Sequence, residues 1–216
     1  MSISENINNI KSQIPEHVTL IAVSKTKPNT MLLEAYNAGQ RDFGENYVQE
    51  LIDKQEQLPK DINWHFIGHL QSNKVKYIAP FVHLIHGVDS FSLLKEINKQ
   101  ALKNNRVIDC LLQIYIAQEE TKFGLDFNEA SQILNSTEFK ELKNVAIKGF
   151  MAMASNTDNQ EQIKKEFASL KTFSLQYPEL TILSFGMSSD YLLAIEKGST
   201  MIRVGSSIFG ERNYTK

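Results

Sequence analysis

IAVSKTKP, residues 21 to 28, sets the pattern by which the rest of the chain is read. Leu20, Ile21, Ala22 and Val23 suit a strand buried on both faces, the run ends on Lys25, and Pro28 admits the start of a helix. A strand that passes at once into a helix is one βα unit, and the same punctuation recurs along the chain. Strands are expected at 18–24, 41–43, 63–68, 83–88, 107–117, 145–153, 180–185 and 201–204. Before the first lies a helix over 1–13, with Ile3, Ile7 and Ile10 on one face and Pro15 beyond it. Between the strands, helices are expected at 29–38 with Gly39 as C-cap, from a Gly44–Glu45–Asn46 turn to Gln57, and at 73–78. Others follow at 91–103 behind a cap at Asp89 or Ser90, 128–134, 160–177 before Pro178, and 190–197 before Gly198. Gly205, Ser206 and Ser207 open a last helical turn.

Eight strands, most of them apolar on both faces and each followed by a helical segment, are what a closed parallel barrel requires. The fold expected is therefore α/β, one TIM-type (β/α)8 barrel spanning residues 1–216. An open doubly wound sheet is the alternative, but the glycine-rich GxGxxG turn expected after its first strand is absent.

Composition narrows the function by exclusion. A formal net charge of -2 over 216 residues gives no electrostatic reason to expect nucleic acid or an anionic membrane as partner. The start, MSISENINNI, lacks the basic and apolar regions of a secretory signal, and no apolar run reaches the ~18 residues of a membrane span, so a cytoplasmic location is expected; the chain is taken to be a monomer. Cys110, the single cysteine, sits in the apolar run VIDCLLQIYIA and reads as packing. The 5 histidines show no recognised metal-ligand spacing.

In a barrel the chemistry sits at the C-terminal ends of the strands, and phosphate groups are commonly held after strands seven and eight. Gly186, Ser188 and Ser189 follow strand seven, while Gly205, Ser206 and Ser207 follow strand eight; small residues, hydroxyls and helix starts suit an anion. Ordinary helix caps would show the same residues. Closure brings strand eight beside strand one, so Lys25 would project next to this site. Held against apolar walls with Lys27 as a second cation, its amine would be available for carbonyl chemistry. An aldehyde and a phosphate on one small scaffold describe pyridoxal 5'-phosphate, with Lys25 forming the Schiff base. Arg203 would meet the ring nitrogen or the phosphate, or else be paired within the barrel. His65 either faces the cofactor ring or turns into the barrel wall.

The motifs IAVSKTKP, FGENYVQE (43–50), WHFIGHLQSNK (64–74), KFGL (122–125), GFMAM (149–153), LSFGMSSD (183–190) and IRVGSSIFGER (202–212) carry a resemblance over almost the whole chain. It resembles the pyridoxal phosphate homeostasis proteins, also called the proline-synthase-co-transcribed family. That resemblance implies the fold-type III barrel of the alanine racemase N-terminal domain, with the cofactor on Lys25. It also implies Asn46 near the cofactor, Ser188, Gly205 and Ser206 at the phosphate, and Arg203 close to the ring or phosphate. Position 206 is often threonine in this family, and serine keeps the hydroxyl.

Three functions compete. The resemblance implies a non-catalytic carrier and regulator of pyridoxal phosphate supply, with cofactor-dependent apoenzymes or cofactor-producing enzymes as partners. A fold-type III amino-acid racemase would need a second acid/base group on the opposite face of the substrate; such racemases add a β-domain, whereas this chain ends at Lys216 after the eighth unit, with Tyr47 the nearest substitute. A cofactor-free Schiff-base aldolase would use Lys25 on a sugar carbonyl directly.

Overall fold

The computed structural model describes residues 2–119 and 123–211. Its eight strands are β1 Thr19–Val23, β2 Asp42–Glu45, β3 Asn63–Phe66, β4 Leu84–Val88, β5 Ile108–Tyr115, β6 Val145–Met153, β7 Ile182–Ser184 and β8 Met201–Val204. Each pairs in parallel with the next, and β8 returns to β1 with Arg203 opposite Ile21, which closes the barrel. The helices are α1 Ile3–Gln13, α2 Asn29–Asn37, α3 Val48–Gln57, α4 Val75–Ile78, α5 Phe91–Lys103, α6 Phe127–Asn135, α7 Thr137–Glu141, α8 Gln160–Ser174, α9 Tyr191–Glu196 and α10 Ser206–Phe209. This is the expected (β/α)8 architecture. None of the described helices is long and apolar enough to cross a membrane.

Local chemistry explains the boundaries. The Ser2 hydroxyl accepts the Glu5 N–H while the Glu5 carboxylate accepts the Ser2 N–H, a reciprocal cap that starts α1. Asp126 and Glu129 do the same for α6. Of the two candidate caps for α5 it is Ser90 that accepts the Leu93 N–H, while Asp89 bonds His69. Helix α7 was not expected; Ser136 ends α6 and its hydroxyl caps α7 by accepting the Phe139 N–H. Strand β7 is shorter than expected, and α8 stops at Ser174, because residues 175–180 form successive turns, with the Leu180 N–H donating to the Tyr177 carbonyl.

The expected turn at Gly44–Glu45 is instead the end of β2. Glu45 is fully buried, and its N-terminal neighbour is glycine because a Cβ there would lie 2.9 Å from Ile21 Cγ2. Alternation along the strands sends every second side chain into the lumen. The outward set, including Leu20, Ala22, Phe43, Trp64 and Phe66, joins the helices in the main core. The lumen is partly polar. Ile21, Leu84, Leu111, Met151 and Met201 form one buried cluster there. Beside it stand polar groups in register with them: His65 opposite Leu84, Ser184 opposite Met151 and Met201, and Arg203 opposite Ile21.

Candidate functional site

The luminal alternation continues past the strand ends. Val23, Lys25, Asn46, Ile67, Met153 and Arg203 all take inward positions and line one cavity of ≈ 310 Å³ at the C-terminal mouth. Ser188, Gly205 and Ser206 line it from the loops after β7 and β8. Its volume lies at the lower end of the range for small-molecule sites, about 300–1,000 Å³. Six of the seven residues expected at the cofactor, all but His65, therefore meet around one space.

Lys25 sits on a clamped bend. The Ser24 hydroxyl donates to Glu45 Oε1 at 2.6 Å, and Lys54 Nζ donates to the same oxygen, to the Ser24 carbonyl and to Glu50 Oε1, each at 2.7 Å. Glu50 Oε1 also accepts the Thr26 N–H at 2.6 Å. Thr26 has φ 63, a left-handed conformation unfavourable for a β-branched residue, so the bend persists because these bonds hold it on both sides of Lys25. Burial pushes the Glu45 carboxyl up to about 7, against the opposing pull of Lys54 and Ser24. Lys27 does not stand beside Lys25 as a bare charge; its ammonium donates to the carbonyls of Phe209, Gly210 and Glu211 at 3.1, 3.1 and 2.7 Å and closes the end of α10.

On the opposite lip the two serine loops are tied together. The Gly205 N–H donates to Ser188 Oγ at 3.1 Å, which leaves the serine proton to be donated elsewhere. Gly186, at φ +97, makes the turn out of β7, and a Cβ there would lie 2.5 Å from the Ala194 Cβ. Its carbonyl accepts the Arg203 N–H at 3.0 Å, so this turn also fixes the height of Arg203. Between the lips, Asn46 presents a buried Oδ1 that has no hydrogen-bond partner among the described residues. An orphaned amide oxygen on a cavity wall costs free energy unless a ligand supplies a donor.

His65 is not among the residues lining the cavity; of the two placements expected for it, it takes the one within the barrel. It lies buried in the lumen, with Nε2 3.1 Å from Asp42 Oδ1 and Nδ1 2.9 Å from His86 Nε2. His86 Nδ1 in turn is 3.0 Å from Ser184 Oγ, and Arg203 donates to that oxygen and to the Ser184 carbonyl at 2.7 Å each. A further Arg203 bond goes to the Ala152 carbonyl at 3.0 Å. Burial lowers the pKa of both histidines, His86 further, with the nearby His65 and Arg203 charges adding to the effect there. Burial also brings Arg203 down to about 10, opposed by Asp190. Asp42 lies below the usual carboxylate range: burial works to raise it, but the bonds from His65 and Asn63 prevail. Sequence reasoning missed Asp42, His86, Ser184, Glu45 and Lys54. The Glu50–Lys54 spacing of four on a helix was the one available signal.

Cys110 is buried against the Ile108 carbonyl, and burial pushes its thiol up, which suits packing. Lys122 of the KFGL stretch and Arg212 of the last motif lie outside the described residues.

Residues 1–213 match the family described as alanine racemase, N-terminal domain. The chain is 39% identical to the pyridoxal phosphate homeostasis protein of Vibrio alginolyticus, over 99% of either chain. It is 40% identical to the protein of that name from Escherichia coli K12, over 94% of this chain and 89% of the other. Among solved structures, PipY of Synechococcus elongatus PCC7942 with PLP bound superposes with a TM-score of 0.88 at 39% identity, covering 97% of this chain and 100% of that one. Alanine racemase of Clostridium difficile 630 shares the fold at a TM-score of 0.80 and 15% identity; this chain covers 58% of that longer one.

Proposed function

The chain belongs to the family of pyridoxal phosphate homeostasis proteins, and from that premise we propose that it carries pyridoxal 5'-phosphate as a Schiff base on Lys25, without substantial turnover of amino acids. The observation that carries this reading is the cavity itself. An amine, an orphaned amide oxygen at Asn46, and the donors Ser188, Ser206 and Arg203 line one small space. The donor set fits a doubly charged phosphate, and the Asn46 oxygen fits a polar ring substituent or the amine-derived N–H. Asn46, Ser188, Arg203, Gly205 and Ser206 are the residues we assign to holding the cofactor beside Lys25. When bound, the group supplies an aldehyde that the lysine amine condenses with, releasing water, and a ring that can withdraw electrons.

The chain's own residues favour retention over racemisation. Exchange of an α-proton between two faces requires two positioned acid/base groups. Among the described residues lining the cavity there is no histidine, tyrosine, cysteine or carboxylate; besides serine hydroxyls and Arg203 the proton-carrying groups are Lys25 and Lys27, and Lys27 is engaged by three carbonyls. Tyr47 lines the neighbouring cavity and is 58% exposed. On the same reading residues 1–216 act as one cytoplasmic, monomeric unit that exchanges the cofactor with dependent apoenzymes or with the enzymes that make it.

The test is incubation of the loaded protein with single enantiomers of common amino acids, followed by chiral chromatography. The expected result is no mirror form above background. Turnover on the order of 1 per second or faster would establish a racemase instead. A Lys25→Ala variant should keep its fold, since the side chain stands at a strand end, and lose the visible absorption band of the bound cofactor.

A further inference from the structure

The cavity wall at Arg203 is the end of a string of hydrogen bonds that crosses the barrel to its other rim. The links are Arg203 to Ser184 Oγ, 2.7 Å; Ser184 Oγ to His86 Nδ1, 3.0 Å; His86 Nε2 to His65 Nδ1, 2.9 Å; and His65 Nε2 to Asp42 Oδ1, 3.1 Å. Ser184, His86, His65 and Arg203 are all buried, while Asp42, the first residue of β2, is 27% exposed at the N-terminal rim.

The chemistry of the two ends fixes the direction of every link. A guanidinium only donates, so Ser184 Oγ accepts from Arg203 and its own proton is available to His86 Nδ1. A carboxylate only accepts, and Asp42 Oδ1 already receives Asn63 Nδ2–H at 3.1 Å, so His65 Nε2 must carry a proton. With both rings neutral, one consistent assignment remains: each histidine is the Nε2–H tautomer, and every donor points from Arg203 toward Asp42. A charged His65 would reverse the two middle links, so that Ser184 Oγ accepts from both His86 and Arg203 and its own proton loses His86 as acceptor. The groups facing His65 are Asp42, His86 and His83, the last with its ring centroid at 5.2 Å. Burial keeps both luminal rings on the neutral side.

We infer that Asp42 is a positioning residue for Arg203, acting across the barrel through the tautomers of His65 and His86 and the hydroxyl of Ser184. The inference rests on the proposed function in one respect, that Arg203 faces the bound cofactor. Ser184 takes two of the guanidinium's donors and Ala152 a third. The plane of the guanidinium, and hence the direction of its remaining N–H groups, is held by these three bonds, and the one to Ser184 Oγ is shared with a His86 N–H once the string reverses.

The experiment is long-range proton–nitrogen correlation of the imidazoles in the 15N-labelled, cofactor-free protein at neutral pH, assigned with His65→Gln and His86→Gln, together with fluorescence titration by pyridoxal 5'-phosphate. The wild type should show both rings as neutral Nε2–H tautomers. Asp42→Ala should bring up an Nδ1–H form of His65 and weaken cofactor binding by about three- to tenfold, the size of one net hydrogen bond. Asp42→Asn keeps an acceptor oxygen and should restore both readouts to near wild type, which separates loss of the acceptor from damage to the fold. Ser184→Ala should weaken binding similarly, with Asp42→Ala adding little on top of it. A charged ring or an Nδ1–H His86 in the wild type overturns the inference, as does any Asp42→Ala result in which tautomer and affinity fail to change together. The tautomers are read without cofactor, so a protein that binds no pyridoxal phosphate would refute the proposed function while leaving the string decided on its own evidence.

Discussion

The two lips of the cavity rest on buried polar clusters that lie on opposite faces of the same sheet. Under Lys25, between the barrel and α3, Ser24, Glu45, Glu50 and Lys54 form a compact group built around the Lys54 ammonium. Under Arg203, inside the lumen, Ser184, His86 and His65 form an extended string whose middle members are neutral. The charged group clamps backbone on both sides of one residue, which is what a strained bend at Thr26 needs. The neutral string holds a single side chain in one orientation and leaves its charge facing the cavity. The difference teaches that Lys25 is positioned through its main chain, whereas Arg203 is positioned through its own side-chain donors.

The sharpest break in this comparison is Lys54→Met. Removing one partner of a buried ion pair costs about 3 to 5 kcal/mol, and urea denaturation at neutral pH should read a loss of that order. The loss should shrink toward pH 5, where Glu45, already pushed up to about 7, takes up a proton. The histidine tautomers of the luminal string should not move, and a shift in them would show that the two clusters are one.

On the other lip, Ser206→Ala removes the hydroxyl that we assign to the cofactor's phosphate. It should weaken cofactor retention by about 1.5 to 3 kcal/mol, the range for hydrogen bonds to charged groups. Stability should change by less than about 0.5 kcal/mol, and equal retention in equilibrium dialysis would remove Ser206 from the site.

The smallest effect sets the clusters against each other by pH. His65 and His86 have lowered folded pKa values, so their contribution is present above about 6.5 and is lost as pH falls. Glu45 has a raised one, so its contribution is present below about 4.5 and is lost as pH rises toward 7. Between about pH 5 and 6 acidification therefore costs stability through the two histidines and adds some through Glu45, and with two rings against one carboxyl the net change should be a fall. A rise instead would mean that Glu45 outweighs the string.

Much of this molecule is legible in the sequence because it is written in local signals. Hydrophobic runs of strand length, caps such as Ser2, and the serine loops at 186–189 and 205–207 each announce themselves within a few residues. Lys25, Ser188, Arg203, Gly205 and Ser206 could be picked out because each stands within or after the C-terminal end of a strand, whereas Asn46 was implied by the resemblance that the FGENYVQE motif carries. The string could not be read this way. Its members stand on β2, β3, β4, β7 and β8, and only closure of the barrel brings His86 within 3.0 Å of Ser184, 98 positions away. Glu45 was misplaced for a related reason: a glutamate after Phe43-Gly44 reads as an exposed helix start, and only Lys54, folded back from α3, makes its burial tolerable.

The central claim, a cofactor held on Lys25, is tested most directly by reducing the pyridoxal phosphate-loaded protein with borohydride and mapping the modified peptide. The expected result is loss of the visible band with one stable adduct on the peptide containing Lys25. An adduct on a different lysine, or none, would contradict it.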